Sequence, residues 1–175
     1  WKDIGLVVQQ LEIPFETVDA IGRMAHSFDV PVLLNAAPAA KIPKSWWDWI
    51  NMLVVNEVEA CALTGLEIQN PQDAEIAAQQ LHKHCQNVLI TLGEKGVLLC
   101  SAEGIQHLQA YKVPVVSTLG AGDAFVGVLA AEWVRHQDLR QAAEQANRAA
   151  AASVQRSGAQ VSYVRPNELG NWGVS

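Results

Sequence analysis

Val113-Pro114-Val115-Val116-Ser117-Thr118-Leu119-Gly120-Ala121-Gly122-Asp123-Ala124-Phe125 is the stretch from which the fold is read. A β-branched run predicts a strand over residues 113–116, and an Ala-rich apolar pattern predicts a helix over 124–136. Two glycines at such a strand-to-helix junction let backbone N–H groups approach a ligand with no Cβ in the way. Those N–H groups stand at the positive end of the new helix, which favours an anion such as a phosphate. Asp123 is the awkward member, because a carboxylate repels a bound phosphate. It makes chemical sense there as a base beside a reacting hydroxyl. Taken alone, the turn is equally a plain glycine-rich helix start with Asp123 favoured by the dipole. No Gly-Lys-Ser/Thr follows, and Gly127 is misplaced for a dinucleotide fingerprint, so neither of those phosphate loops applies.

The 175 residues, half of them apolar, suffice for one core and predict a single domain over 1–175. A net charge of −6 without a Lys/Arg cluster argues against nucleic acid as a partner. Three scattered cysteines predict reduced thiols and a cytoplasmic protein, not a disulfide framework. No apolar run approaches the ~18 residues of a membrane helix, so no membrane partner is expected. The chain opens on Trp1, with an apolar run from Ile4 that reads as a buried strand with nothing before it. The expectation is that an N-terminal part is absent.

Outward from the turn, strands and helices alternate. Strands are predicted over 4–10, 30–34, 52–55 and 87–91, the first with near-continuous apolar character. A helix opened by Pro14 carries Val18, Ile21, Met24 and Ala25 at helical spacing. Ser45 is expected to cap a short helix with Trp46, Trp47 and Trp49, a packing or interface cluster. Helices follow over 57–63, stopped by Gly65, and over 71–84. Residues 97–100 and 105–109 are expected to form a hairpin, and 139–154 a second Ala-rich helix. This order predicts an α/β fold whose sheet is mainly parallel with helices on both faces. Ligands of such sheets bind beyond the carboxyl ends of the strands. That rim should hold Gln9 to Glu12, Asn35, Asn56, Thr91 to Gly96, and Ser117 to Asp123.

Each further candidate has a plainer alternative. Thr91-Leu-Gly93-Glu-Lys-Gly96 offers a hydroxyl and N–H groups to a phosphate chain, but alone reads better as a glycine turn. Asn56-Glu-Val-Glu59 could orient Mg²⁺ through water, and it equally spells a capping box; the two are compatible. Glu12 offers a carboxylate to a polyol hydroxyl or is a solvated loop charge. His82 and His84 do not share a helix face, so they read as helix surface beside a buried Cys85, not as a metal site.

Together these motifs resemble the ribokinase-like carbohydrate kinases. The matching order is Leu11-Glu12-x-Pro14, Asn35-Ala-Ala-Pro38, Asn56-Glu-Val-Glu59, Thr91-Leu-Gly93-x-x-Gly96, Gly120-Ala-Gly-Asp123 and Gly158-Ala. The resemblance implies a three-layer α/β/α fold lacking the family's N-terminal strands and β lid. It also implies transfer of the ATP γ-phosphoryl group to a sugar hydroxyl, with ribose favoured. By that resemblance Asp123 is the catalytic base and the N–H groups of Gly120, Ala121 and Gly122 form the anion hole. Asn56, Thr91, Gly93, Gly96 and Asn147 bind the nucleotide, Glu59 holds Mg²⁺ through water, and Glu12 contacts the sugar together with Asp123. A monovalent cation, commonly K⁺, corresponds to Ser117, Leu119, Ser153, Arg156, Gly158 and Ser162. Ser117 replaces the family's usual Asp, which weakens that site.

The implied partners are ATP and a sugar, with a homodimer as the oligomer to test. The isolated chain is expected to have little or no kinase activity, because the implied lid is absent. The alternative function is a non-catalytic nucleotide-binding or assembly module derived from such a kinase.

Overall fold

The computed structural model describes residues 1–163 and 165. Six strands form one sheet in sequence order: β1 Val7–Gln9, β2 Val32–Asn35, β3 Met52–Asn56, β4 Asn87–Thr91, β5 Val97–Ser101 and β6 Gly104–Leu108. The pairs β1–β2, β2–β3 and β3–β4 are parallel. The connections into β5 and β6 are far too short for a parallel crossover, so the chain turns back there. Among the described residues there are five α-helices: α1 Phe15–Ser27, α2 Glu57–Thr64, α3 Pro71–His82, α4 Ala121–His136 and α5 Leu139–Ser153. The chain separates into two compact units: Trp1–Leu92 with Leu98–His107, and Gly93–Val97 with the described residues from Leu108 onward.

The first unit holds strands β1 to β4 with α1, α2 and α3. Its core gathers Val32, Leu34, Leu53, Val55, Val88 and Ile90 from alternate strand positions with Val18, Ala25, Ala74, Ala77 and Ala78 from the helices. The intervening residues Leu33, Met52, Val54 and Leu89 are equally buried. Residues of both faces are therefore withdrawn from water, which explains the unbroken apolar runs of β2, β3 and β4. Trp46 and Trp49 sit in this core, ring against ring with Phe15 completing the cluster. The Trp49 indole lies against Gly22 of α1 so closely that a Cβ there would meet the ring at 2.5 Å. The Trp cluster is thus largely packing, and Trp47 reaches His84 at its margin.

In the second unit α4 and α5 pack on each other. Phe125 and Leu129 of α4 are buried, as are Ala142, Ala143, Ala146 and Ala149 of α5. Small residues along α5 permit a close approach of the two axes.

Several local expectations are corrected. Residues 113–116 form no strand, because Val115 and Val116 are exposed and Val116 N–H donates to the Val154 carbonyl at 2.7 Å rather than to a sheet neighbour. The first strand is short and one-sided: Val8 is 47% exposed and Ile4 43%, as suits an edge. Met24 lies outside the buried stripe of α1, which is Val18, Gly22 and Ala25. Ser45 caps nothing; the 3-10 turn Lys44–Asp48 starts after Pro43 without a side-chain cap. Pro14, by contrast, does open α1, standing at its N-cap.

Candidate active site

Parallel register puts the strand ends of the first unit on one edge. Asn56 lies opposite Thr91, and Gln9 opposite Leu34, the residue before Asn35. The loops beyond them are tied together. Leu11 N–H donates to the Ala37 carbonyl at 2.8 Å, and Ala36 N–H to the Val54 carbonyl at 3.0 Å. Glu12 is exposed on this rim, and its N–H donates to the Gln10 side chain. The sequence pattern placed Glu12, Asn35, Asn56 and Thr91 on the rim, and the fold brings them there.

Asn56 ends β3 and caps α2. Its Oδ1 accepts from Glu59 N–H at 2.9 Å, and its own N–H donates to Glu59 Oε2 at 2.8 Å. That is the capping box the spacing predicts. A third bond was not legible: Asn56 Nδ2 donates to Glu59 Oε1 at 2.9 Å. Both Glu59 oxygens are therefore held, and the residue is only 6% exposed. Burial raises its carboxyl above the ordinary value, against the opposing effect of the Asn56 donors. Thr91 is half-buried and its hydroxyl donates to the Val55 carbonyl at 3.4 Å.

In the second unit, residues 93–96 form a 3-10 turn closed by Gly96 N–H to the Gly93 carbonyl at 3.1 Å. Gly96 is buried against the backbone of Leu108, Gln109 and Ala110. Asn147 of α5 holds the same segment, its Nδ2 donating to the Gln109 carbonyl at 2.8 Å. Asn147 is thus a buried clamp on the chain that packs against Gly96.

The opening turn lies at the start of α4. Gly120 adopts the left-handed conformation at the N-cap, with no side-chain cap. Ala121 N–H donates to the Thr118 carbonyl at 3.2 Å, which leaves the helix-start N–H groups beside it as the ones to offer an anion. Gly122 and Asp123 are exposed, and a Cβ on Gly122 would meet nothing within 4 Å. Ser117 N–H donates to the Val154 carbonyl at 3.0 Å, so the turn is tied to the end of α5. The Ser117 hydroxyl accepts from Leu119 N–H at 3.3 Å.

From the other side, the loop after α5 closes on the turn. Ala159 Cα stands 3.2 Å from where a Gly120 Cβ would be. Ser153 and Ser162 are buried, their hydroxyls donating to the Ala150 carbonyl at 2.8 Å and the Ala159 carbonyl at 2.6 Å. Arg156 N–H donates to the Ser153 carbonyl, and Gly158 has a positive φ. The fold thus brings the Ser117–Asp123 turn to residues 153–163. Tyr163, which no motif singled out, meets the carboxylate: its hydroxyl donates to Asp123 Oδ2 at 3.3 Å. Burial and the neighbouring Asp123 together raise the Tyr163 phenol above its ordinary value. Among the described residues no cluster of three or more His, Cys, Asp and Glu could hold a metal ion.

The class of the chain is plain: residues 5–165 match the pfkB family carbohydrate kinase profile, and the chain belongs to that family. Among its relatives it is 36% identical over 158 residues to a ribokinase of Staphylococcus aureus, covering 89% of this chain and 52% of that one. It is 37% identical over 164 residues to a deoxyribokinase of Salmonella typhimurium, covering 93% and 54%. The solved structure of Arabidopsis thaliana ribokinase complexed with ribose and ATP superposes with a TM-score of 0.90 at 29% identity, over 95% of this chain and 55% of that one. The chain therefore spans about half the length of the relatives it matches.

Proposed function

We propose that this chain is the nucleotide-binding part of an ATP-dependent sugar kinase that phosphorylates a ribose-type sugar on a hydroxyl. The observation that carries this is the exposed glycine turn at the start of α4, with Asp123 in its first helical turn, within a chain of the pfkB family. ATP is the substrate that supplies the phosphoryl group. Asp123 accepts the proton of the sugar hydroxyl, and helix-start N–H groups around Gly120 and Gly122 stabilise charge on the transferring group.

Mg²⁺ fits the first unit in one way only. Both Glu59 oxygens are already held by Asn56, so Glu59 would hold the ion through water while ATP phosphates supply direct ligands. The monovalent site fits weakly, since Ser117 brings a hydroxyl and no charge. Ser117→Asp should therefore strengthen any K⁺ response.

Two relatives name ribose and deoxyribose kinases at similar identity, so both sugars belong in the assay. The 175-residue polypeptide is expected to bind ATP–Mg²⁺ and to turn over sugar slowly. Calorimetric titration tests the site. Gly122→Leu places a side chain in open space, so it should abolish ATP binding while leaving thermal stability near wild type. ATP affinity unchanged by Gly122→Leu would refute the assignment. ATP binding without any transfer to either sugar would favour the non-catalytic module.

A further inference from the structure

Asp123 is exposed in the first turn of α4. The side chain that reaches it comes from forty residues along the chain, beyond the far end of α5: Tyr163 Oη donates to Asp123 Oδ2 at 3.3 Å. Tyr163 is set by the short turn Gln160–Ser162, where Ser162 N–H donates to the Ala159 carbonyl at 3.0 Å and Tyr163 N–H to the Gln160 carbonyl at 3.4 Å. The phenol lies against Gly120. A Cβ on Gly120 would stand 3.0 Å from Tyr163 Oη and 3.1 Å from Cε1, so any other residue at 120 would crowd the hydroxyl. The glycine that starts the anion turn is also the one that admits the phenol.

We infer that Tyr163 is a positioning residue for phosphoryl transfer: it holds Oδ2 of Asp123 and leaves Oδ1 to accept the proton of the substrate hydroxyl. This rests on the reading of Asp123 as the base. A carboxylate on a single exposed stalk samples several rotamers, and a general base works only within hydrogen-bond reach of its proton. The phenol, seated against Gly120, donates to the carboxylate from one fixed direction, and at 3.3 Å that contact favours one rotamer of Asp123. The proton then leaves the sugar oxygen for Oδ1. The sugar oxygen bonds to the γ-phosphorus as the bond from that phosphorus to the ADP oxygen breaks. Tyr163 keeps its own proton throughout.

Two measurements test this. The chain has two tyrosines, so in a Tyr111→Phe background the tyrosine Raman doublet reports Tyr163 alone. At neutral pH the intensity ratio should be that of a net hydrogen-bond donor, and Asp123→Ala should shift it towards that of a hydrated phenol. No shift overturns the contact. The second measurement is phosphoryl transfer from ATP to ribose. Tyr163→Phe should lower kcat by about 2- to 10-fold, the worth of an ordinary hydrogen bond, with KM for ATP and Tm unchanged. An unchanged kcat, or a loss matched by a fall in Tm, overturns the positioning role. A chain that shows the Raman shift but transfers no phosphoryl group, with ATP still bound, supports the Tyr163–Asp123 pairing and refutes the kinase reading instead.

Discussion

Gly96→Ala should be the most damaging single-methyl change in the loop 93–96. Gly96 has φ +97°, and a Cβ there would stand 2.0 Å from the Leu108 carbonyl oxygen, 2.7 Å from Ala110 N and 2.9 Å from Gln109 C. All three are backbone atoms and cannot rotate away. Nor can the segment easily retreat, because Asn147 of α5 holds the Gln109 carbonyl at 2.8 Å. Placing an L-residue at such a φ costs about 1–2 kcal/mol. Overpacking of a fixed contact adds about 1–3 kcal/mol. Together these give roughly 2–5 kcal/mol, or a fall in Tm of roughly 4–20 °C for a chain of this size. Gly93→Ala is the control. Gly93 also has positive φ, at +55°, but a Cβ there meets nothing within 4 Å. It should lose only the conformational part, about 1–2 kcal/mol. Thermal denaturation of both variants against wild type measures the difference. Equal losses for the two would refute the packing argument, since only the contact distinguishes them.

Further outcomes follow from other contacts. Asp123→Asn should leave ATP affinity nearly intact and lower turnover by about 10²–10⁴-fold; unchanged turnover would remove Asp123 from the chemistry. Gly22→Ala, which in an exposed helix would stabilise by about 1 kcal/mol, should instead destabilise by about 1–3 kcal/mol, because its Cβ meets the Trp49 ring at 2.5 Å; a rise in the urea midpoint would show that the indole can move. Glu59 has a folded pKa raised by burial, so its contribution to stability is fully present below the unfolded carboxyl range and is lost as pH rises through the folded value. The stability of Glu59→Gln relative to wild type should therefore improve from acid to neutral pH, and a difference flat in pH would refute this. Burial pushes the Cys85 thiol up to about 12, so mass spectrometry after mild alkylation should find Cys85 unmodified and half-buried Cys61 modified first; early labelling of Cys85 would show that the core opens.

The site was legible in the sequence where its parts are local. Asn56 and Glu59 are three residues apart, and that spacing alone dictates the capping box that the structure shows. Gly65 stops α2 and Asn70 with Pro71 starts α3 for equally local reasons. The carboxyl ends of β1 to β4 share one rim because parallel strands joined by helices leave no other arrangement. The errors lie where a local pattern competed with a distant partner. Residues 113–116 have strand composition, yet the Val116 and Ser117 N–H groups go to the Val154 carbonyl just past α5, so β-propensity lost to a tertiary bond. Met24 fits the helical period, but the buried stripe of α1 runs through Val18, Gly22 and Ala25, where Gly22 admits the Trp49 ring, and Met24 lies on another face.

The sequence by itself determined the α/β class, the strand ends that carry Asn56 and Thr91, and the glycine turn that presents Asp123. Periodicity, capping and turn chemistry act over a few residues, and a single chain displays them directly. Only the tertiary structure decided that Asn147 clamps Gln109 beneath Gly96, and that Tyr163 reaches Asp123 across Gly120. Those pairings join positions some forty residues apart through packing of α4 and α5. No spacing rule encodes them, because the distance between two such side chains is fixed by how helices pack and not by the residues between them.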